Sequence, residues 1–291
     1  MTRVSGAPAA RRARPKLGQH FLADSSAGLR IVDALGDISQ RTVLEIGPGR
    51  GALTSLLASR ARRLIAIELD RVLAAQLRMK FALRPNVEII EADVLAVDLS
   101  SLFAPKPGTT RPGLPFTPEP VRVVGNIPYQ ITSELLLRLF HHRQYFESMV
   151  LMVQREVADR LAAQPGGSEY GLLSATAQLY ARVEKLFTLP PGAFAPPPRV
   201  HSAVVRLIME SQFEALQVPE ERFIEFLKLA FAQKRKTLWN NLKAKYRTHA
   251  LKAAFDRAGV KPGARAETLP LEKSAGLYRE LANESRESPA R

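Results

Sequence analysis

The chain has 291 residues, 46% hydrophobic and 24% charged, which is enough to bury a core and too long for one minimal domain, so a large domain with a small companion is expected. Lys and Arg number 42 against 28 Asp and Glu; the formal charge of +14 points to a polyanionic partner, since phosphate neutralisation with counterion release supplies most non-specific nucleic-acid affinity. The absence of cysteine excludes disulfides, thiolate nucleophiles, Cys-ligated metal and cytosine C5 methylation through a Cys adduct, and no metal is expected.

Residues 1–16 carry Arg3, Arg11, Arg12, Arg14 and Lys16 without an acidic residue and read as a disordered basic arm. The arm lacks the apolar stretch of a secretory signal, and runs such as 149–153 are too short to span a bilayer, so a cytoplasmic protein with no membrane partner is expected. From Thr42 onward, short apolar runs at 42–46, 64–68, 87–91, 121–125 and 149–153 alternate with helical spacing at 52–60, 70–83, 133–141 and 155–163. That alternation predicts an α/β fold, a mostly parallel sheet with helices on both faces, and the apolar Leu64-Ile65-Ala66-Ile67 suits a strand buried on both sides.

The segment 104–120, with Pro105, Pro107, Pro112, Pro115, Pro118 and Pro120, can form neither a central strand nor a helix and reads as a surface loop. A second cluster, Pro190, Pro191, Pro196, Pro197 and Pro198, separates strands expected at 183–189 and 203–208, a hairpin at the sheet's edge closed by a rigid loop. Beyond about residue 211 only helical patterns remain, so the expected units are 17–210 and an all-helical 211–285, followed by a disordered tail at 286–291.

The run Thr42-Val43-Leu44-Glu45-Ile46 leads directly into Gly47-Pro48-Gly49-Arg50-Gly51-Ala52 and then a helix, a turn that lets a ligand approach backbone with no Cβ in the way. About 20 residues on, Glu68 ends the next strand, where a carboxylate can accept both hydroxyl hydrogens of a ribose. The glycines alone also fit a nicotinamide or flavin enzyme. Glu45 inside the strand, the E-x-G-x-G arrangement of S-adenosylmethionine (SAM) methyltransferases, and Asp93 at the third strand's end, placed to accept from an adenine amino group, favour SAM. Singly these are ordinary turn glycines and solvated carboxylates; jointly they stand at consecutive strand ends, where open sheets bind ligands.

At the fourth strand's end the chain reads Gly125-Asn126-Ile127-Pro128-Tyr129, fitting the N/D-x-P-Y/F motif of amino-group methyltransferases. An adenine N6 lone pair is delocalised into the ring. If Asn126 Oδ1 and the Ile127 carbonyl each accept an N6 hydrogen, charge building on nitrogen is stabilised and the lone pair is aimed at the methyl group. Pro128 fixes the turn, and Tyr129 offers a ring for stacking on an extruded base.

Lys16-Leu17-Gly18-Gln19-His20-Phe21-Leu22, Val43-Leu44-Glu45-Ile46-Gly47-Pro48-Gly49, Val124-Gly125-Asn126-Ile127-Pro128-Tyr129, Met152-Val153-Gln154-Arg155-Glu156-Val157, Glu169-Tyr170-Gly171-Leu172-Leu173-Ser174 and Phe194-Ala195-Pro196-Pro197-Pro198-Arg199-Val200 together resemble the KsgA (RsmA) family of ribosomal RNA adenine dimethylases across nearly the whole chain. The resemblance implies a Rossmann-like methyltransferase domain and SAM-dependent dimethylation of N6 on two adjacent adenosines in the 3′-terminal hairpin of 16S rRNA. It also implies a monomer acting on an immature small ribosomal subunit. Carried over by motif, SAM contacts His20, Leu22, Gly47, Gly49, Glu68, Asp93 and Asn126, and Phe194 helps sandwich the target base. His20 departs from the Asn of many relatives. Three alternatives remain: an Erm-type 23S rRNA methyltransferase, a non-catalytic assembly factor on the same fold, and a dehydrogenase, which offers no account of 126–129.

In the helical unit, residues 226–255 include Lys228, Lys234, Arg235, Lys236, Lys243, Lys245, Arg247 and Lys252 with no acidic side chain. Such concentrated like charge is unfavourable without a polyanion nearby. Lys234, Arg235 and Lys236 are expected to project from the apolar stripe of 231–242 and contact RNA phosphates.

Overall fold

A computed structural model describes residues 19–103 and 119–287. The basic arm at 1–16 and positions 104–118 of the proline-rich segment lie outside the described residues, as do positions 288–291 of the expected tail. The elements in chain order are β1 (Phe21–Leu22), α1 (Ser25–Asp33), β2 (Thr42–Ile46), α2 (Ala52–Leu57), β3 (Arg63–Glu68), α3 (Arg71–Lys80), β4 (Val87–Glu91) and α4 (Leu99–Phe103). There follow β5 (Val121–Asn126), α5 (Thr132–His141), β6 (Phe146–Gln154), α6 (Arg155–Leu161), α7 (Leu172–Tyr180), β7 (Ala181–Leu189), β8 (Phe194–Ala195) and β9 (Ser202–Met209). The described chain then stays helical through α8 (Glu220–Ala230), α9 (Leu238–Leu242), α10 (Thr248–Ala258) and α11 (Leu271–Glu287). None of the described helices is long and apolar enough to cross a membrane.

Local chemistry sets several boundaries. Asp24 caps α1 by accepting from Ala27 N at 3.0 Å, and Asp70 caps α3 by accepting from Val72 N and Leu73 N. The helices at 52–60, 70–83 and 155–163 stop two or three residues earlier than their apolar spacing suggests: 58–60, 81–83 and Ala162 fall in turns, and Ala163 is irregular.

The main sheet has the order β4-β3-β2-β5-β6-β9-β7. β2 to β6 are parallel, whereas β9 runs antiparallel to both β6 and β7. The expected hairpin is present, but β9 turns inward against β6 and leaves β7 at the edge. Its connecting segment also does more than close a loop. It contributes β8, which pairs antiparallel with β1 through Phe21↔Ala195 and Leu22↔Phe194.

Successive strand residues feed opposite cores, as pleating requires. Leu44, Ile46, Val123, Met149 and Leu151 face one side together with Leu135 and Leu139 of α5. Val43, Val124, Val150 and Met152 face the other with Ile31 of α1 and Leu53 and Leu57 of α2. Since β3 follows β2 to one side while β5 lies on the other, the strand order reverses at β2 and β5. A crevice at the carboxyl ends of these strands is where such sheets take ligands.

The C-terminal helices share a core with the sheet: Phe223, Phe226 and Leu227 of α8 pack in one cluster with Phe140 and Tyr180. A polar clasp closes this joint. Glu220 accepts from Arg143 Nη1 and Nη2 at 3.1 and 2.6 Å and from the Tyr180 hydroxyl at 2.9 Å, while Tyr180 stacks on Phe140 at a centroid distance of 4.8 Å. Glu220→Ala is expected to strand two partly desolvated donors and lower unfolding free energy by about 1–3 kcal/mol in urea titration. A change below about 0.5 kcal/mol would show that the clasp is solvent-screened.

Candidate active site

The turn after β2 brings backbone, not side chains, to the crevice. Gly49 has a left-handed φ of 58°, and a Cβ there would lie 2.8 Å from Phe21 Cδ1, so both conformation and space require glycine. Its N–H donates to Glu68 Oε2 at 2.9 Å, and Glu68 Oε1 accepts from Asp70 N at 2.9 Å. Glu68, only 4% exposed, thereby anchors the turn from the neighbouring strand end. Each carboxylate oxygen retains a further lone pair for a ligand hydroxyl. Asp93, beyond β4, is oriented by Leu95 N, which donates to Oδ1 at 2.9 Å.

These groups surround one cavity of about 280 Å³, near the lower end of ligand-site volumes. His20, Gly47, Gly49, Glu68, Asp93, Asn126, Ile127, Pro128 and Tyr129 all line it. Two expected residues do not. Leu22 borders a separate cavity of about 30 Å³. Phe194 is 4% exposed and packed in the core that contains Val43 and Leu53. The β1–β8 ladder accounts for both: Leu22 and Phe194 are cross-strand partners, and alternation places Phe21 on the cavity wall instead. Phe21 also carries the Arg50 guanidinium 4.6 Å from its ring centroid.

Asn126 is held with its amide oriented. Nδ2 donates to the His20 carbonyl at 2.7 Å, so Oδ1 is the atom left to accept from a ligand. The Ile127 N–H donates to Met152 O at 3.0 Å, continuing the ladder past the strand end and fixing the turn into Pro128. The Tyr129 hydroxyl is bonded to Ser202 Oγ at 2.9 Å, and its ring lies 6.3 Å from that of His20 at an interplanar angle of 29°. His20 Nδ1 is bonded to Pro196 O at 2.8 Å. Sequence reading missed Phe21 and Ser202. Two-residue periodicity flags Phe21 once β1 is known, but nothing local flags Ser202, which reaches Tyr129 across 73 positions.

Lys234, Arg235 and Lys236 are exposed on the turn between α8 and α9 and do not line the cavity. Lys234 Nζ donates to Ser168 O at 3.1 Å, linking this turn to the segment before α7.

Comparison with known proteins agrees with this geometry. The family profile described as ribosomal RNA adenine dimethylase matches residues 10–283. A Koribacter versatilis protein named ribosomal RNA small subunit methyltransferase A is 59% identical over 92% of this chain and 94% of its own length. Its Acidobacterium capsulatum counterpart is 57% identical over 94% and 92%. Among solved structures, a dimethyladenosine transferase from Plasmodium falciparum aligns with TM-score 0.73 and 26% identity over 91% of this chain and 98% of its own. The 23S rRNA methyltransferase ErmE aligns with TM-score 0.66 and 29% identity over 90% and 99%.

Glu45 lies behind the glycine turn, 1% exposed, with no hydrogen-bond partner for Oε2. Desolvation pushes its pKa up to about 8; Glu68's charge adds to the rise, and neighbouring Thr54 opposes part of it. The unfolded carboxyl titrates near 4.5, so the fold binds the proton more tightly. This contribution to stability is full below the unfolded value and is lost as pH rises towards 8, by at most about 1.4 kcal/mol per pH unit. Glu45→Gln, a neutral isostere, is expected to remove that decline, so that variant and parent diverge with rising pH in urea unfolding. Parallel stability curves would show that the fold tolerates an ionised Glu45.

Proposed function

The chain belongs to the ribosomal RNA adenine dimethylase family, and on that premise we propose that it is a SAM-dependent methyltransferase that dimethylates N6 of two adjacent adenosines in the 3′-terminal hairpin of 16S rRNA. The particle it acts on is an immature small subunit, met by a monomer in the cytoplasm. The small-subunit reading is supported over an Erm-type one because relatives at 59% and 57% identity carry the small-subunit name, whereas ErmE is 29% identical. We assign cofactor and catalysis to residues 17–210 and the principal RNA contacts to 211–285.

The residues present fit the cofactor. A glycine-rich turn meets two strand-end carboxylates, Glu68 for ribose hydroxyls and Asp93 for an adenine amino group, with His20 on the same cavity and Leu22 bordering the turn from its other side. SAM, when bound, supplies a methyl group on a positively charged sulfur.

The observation that carries the reading is the pinned amide of Asn126. Because Nδ2 is committed to His20, Oδ1 can accept one N6 hydrogen without reorganising, and the Ile127 carbonyl takes the second. Together they stabilise positive charge developing on nitrogen and orient its lone pair. Tyr129 stacks on the extruded base. Phe194 joins that sandwich only if its side chain leaves the core. Lys234, Arg235 and Lys236 hold phosphates and so position the RNA without reading bases.

The direct test incubates the enzyme with labelled SAM and unmethylated small subunits and maps N6,N6-dimethyladenosine by mass spectrometry; no label on the 3′-terminal hairpin would defeat the proposal. Asn126→Ala is expected to slow single-turnover transfer about a hundredfold or more at saturating SAM while RNA binding persists. A near-parental rate would remove Asn126 from the chemistry. Replacing Lys234, Arg235 and Lys236 together by Glu should weaken small-subunit binding and flatten its salt dependence by up to about one log-log unit for each phosphate no longer neutralised, with SAM affinity unchanged. Parental affinity and slope would reduce the cluster to a solvated face.

A further inference from the structure

β9 opens with a hydroxyl in an otherwise aliphatic run. Ser202 precedes Ala203, Val204 and Val205; all four are buried, and Ser202 is 1% exposed. Its backbone is paired on both sides, with Gln154 of β6 and Leu189 of β7, so two ladders fix its position. A buried hydroxyl must find a partner other than bulk water. Here the partner is the Tyr129 hydroxyl at 2.9 Å.

Tyr129 is placed quite differently. It is half-buried on the cavity wall, in the short turn Tyr129–Ile131 beyond β5, with its ring opposite that of His20. A tyrosine ring swings about two torsions, and a bond at its far end removes most of that freedom. Stacking on a base is productive only when the ring plane is already set, because N6 must meet the Asn126 acceptor in one orientation. The same segment steadies the facing ring, since Pro196 O bonds His20 Nδ1. Both rings on the cavity wall are thus tied by their polar ends to the stretch from Pro196 to Ser202.

We infer that Ser202 is a positioning residue for methyl transfer, setting through the Tyr129 hydroxyl the plane on which the target base stacks. The inference rests on the reading that Tyr129 stacks on that base. Ser202 touches neither the base nor the cofactor; it acts through the ring.

The test is single-turnover methylation of unmethylated small subunits at saturating SAM by Ser202→Ala, Ser202→Thr, Tyr129→Phe, Tyr129→Ala and the Ser202→Ala/Tyr129→Phe pair, with SAM affinity and thermal midpoint measured for each. Ser202→Ala and Tyr129→Phe are each expected to slow transfer about tenfold, the scale of one hydrogen bond, and the pair should be no slower than either alone. Ser202→Thr keeps the hydroxyl and should restore the rate. SAM affinity should stay at the parent's value for the Ser202 variants and for Tyr129→Phe. Multiplying losses in the pair, or a parental rate for Ser202→Ala beside a slow Tyr129→Ala, would overturn the role of Ser202 while leaving the stacking role of Tyr129 intact. A parental rate for Tyr129→Ala would instead defeat the stacking reading. If the extra methyl of Thr lowers the thermal midpoint, the double-variant cycle decides.

Discussion

Gly125 packs so closely on the neighbouring strand that a Cβ there would sit 2.6 Å from the Ile46 carbonyl oxygen, and the site depends on that approach. It joins the ends of two parallel strands whose following helices depart to opposite faces: α2 buries Leu53 and Leu57 on one side, and α5 buries Leu135 and Leu139 on the other. The divergence opens a crevice, while the close approach keeps Gly47 and Asn126 side by side at its floor, with the Cβ position of Gly47 only 3.6 Å from Asn126 O. Any side chain at Gly125 would force these strand ends apart and separate the glycine turn from the Asn126 amide.

The electrostatics of the crevice follow from the same crowding. Two glutamates stand near each other at low exposure, and the fold treats them differently. Glu68 receives main-chain donors on both oxygens, which stabilise its charge. Glu45 has no such donor at Oε2, and burial pushes its pKa up to about 8. Neutral Glu45 therefore puts no further charge behind the glycine turn, and the carboxyl groups on the cavity wall are those of Glu68 and Asp93. Asn126 adds an acceptor without adding charge, and its amide is already oriented by the His20 carbonyl, as electrostatic preorganisation requires.

Much of this was legible in the sequence, for reasons that can be located. The central strands read clearly because burial on both faces leaves near-continuous apolar runs, and 42–46 matches the observed bounds residue for residue; 87–91 does so too, although β4 lies at the sheet's edge and is only partly buried. The glycine turn, Glu68, Asp93 and Asn126 read clearly because the fold gathers its strand ends at one place. What escaped depends on long-range pairing. Phe21–Leu22 is too short to show a period, and its partner at Phe194–Ala195 sits in a proline cluster that propensity assigns to a loop. That pairing turns Leu22 and Phe194 away from the cavity and brings Phe21 to it. The inward placement of β9 beside β6 was hidden similarly, since apolar patterning marks a strand as buried without naming its neighbour.

On the proposed reading, the joint between the sheet and the C-terminal helices bears on how a particular RNA is selected. Phosphate contacts carry no sequence information, so a basic cluster on a loosely tethered module would hold any RNA near the cavity. Here the module is not loosely tethered. α8 shares its core with Phe140 and Tyr180, Glu220 binds Arg143, and Gly166 N donates to Glu267 O at 2.8 Å. The basic turn itself touches the segment before α7, because Lys234 reaches Ser168 O. The spacing between the cluster and the Asn126 pocket is therefore set by packed cores and main-chain bonds rather than by a flexible linker. On the proposed reading, an RNA would satisfy both only if its fold presented phosphates and an unstacked adenosine at that spacing, and the packed joint would convert non-specific phosphate contacts into recognition of shape.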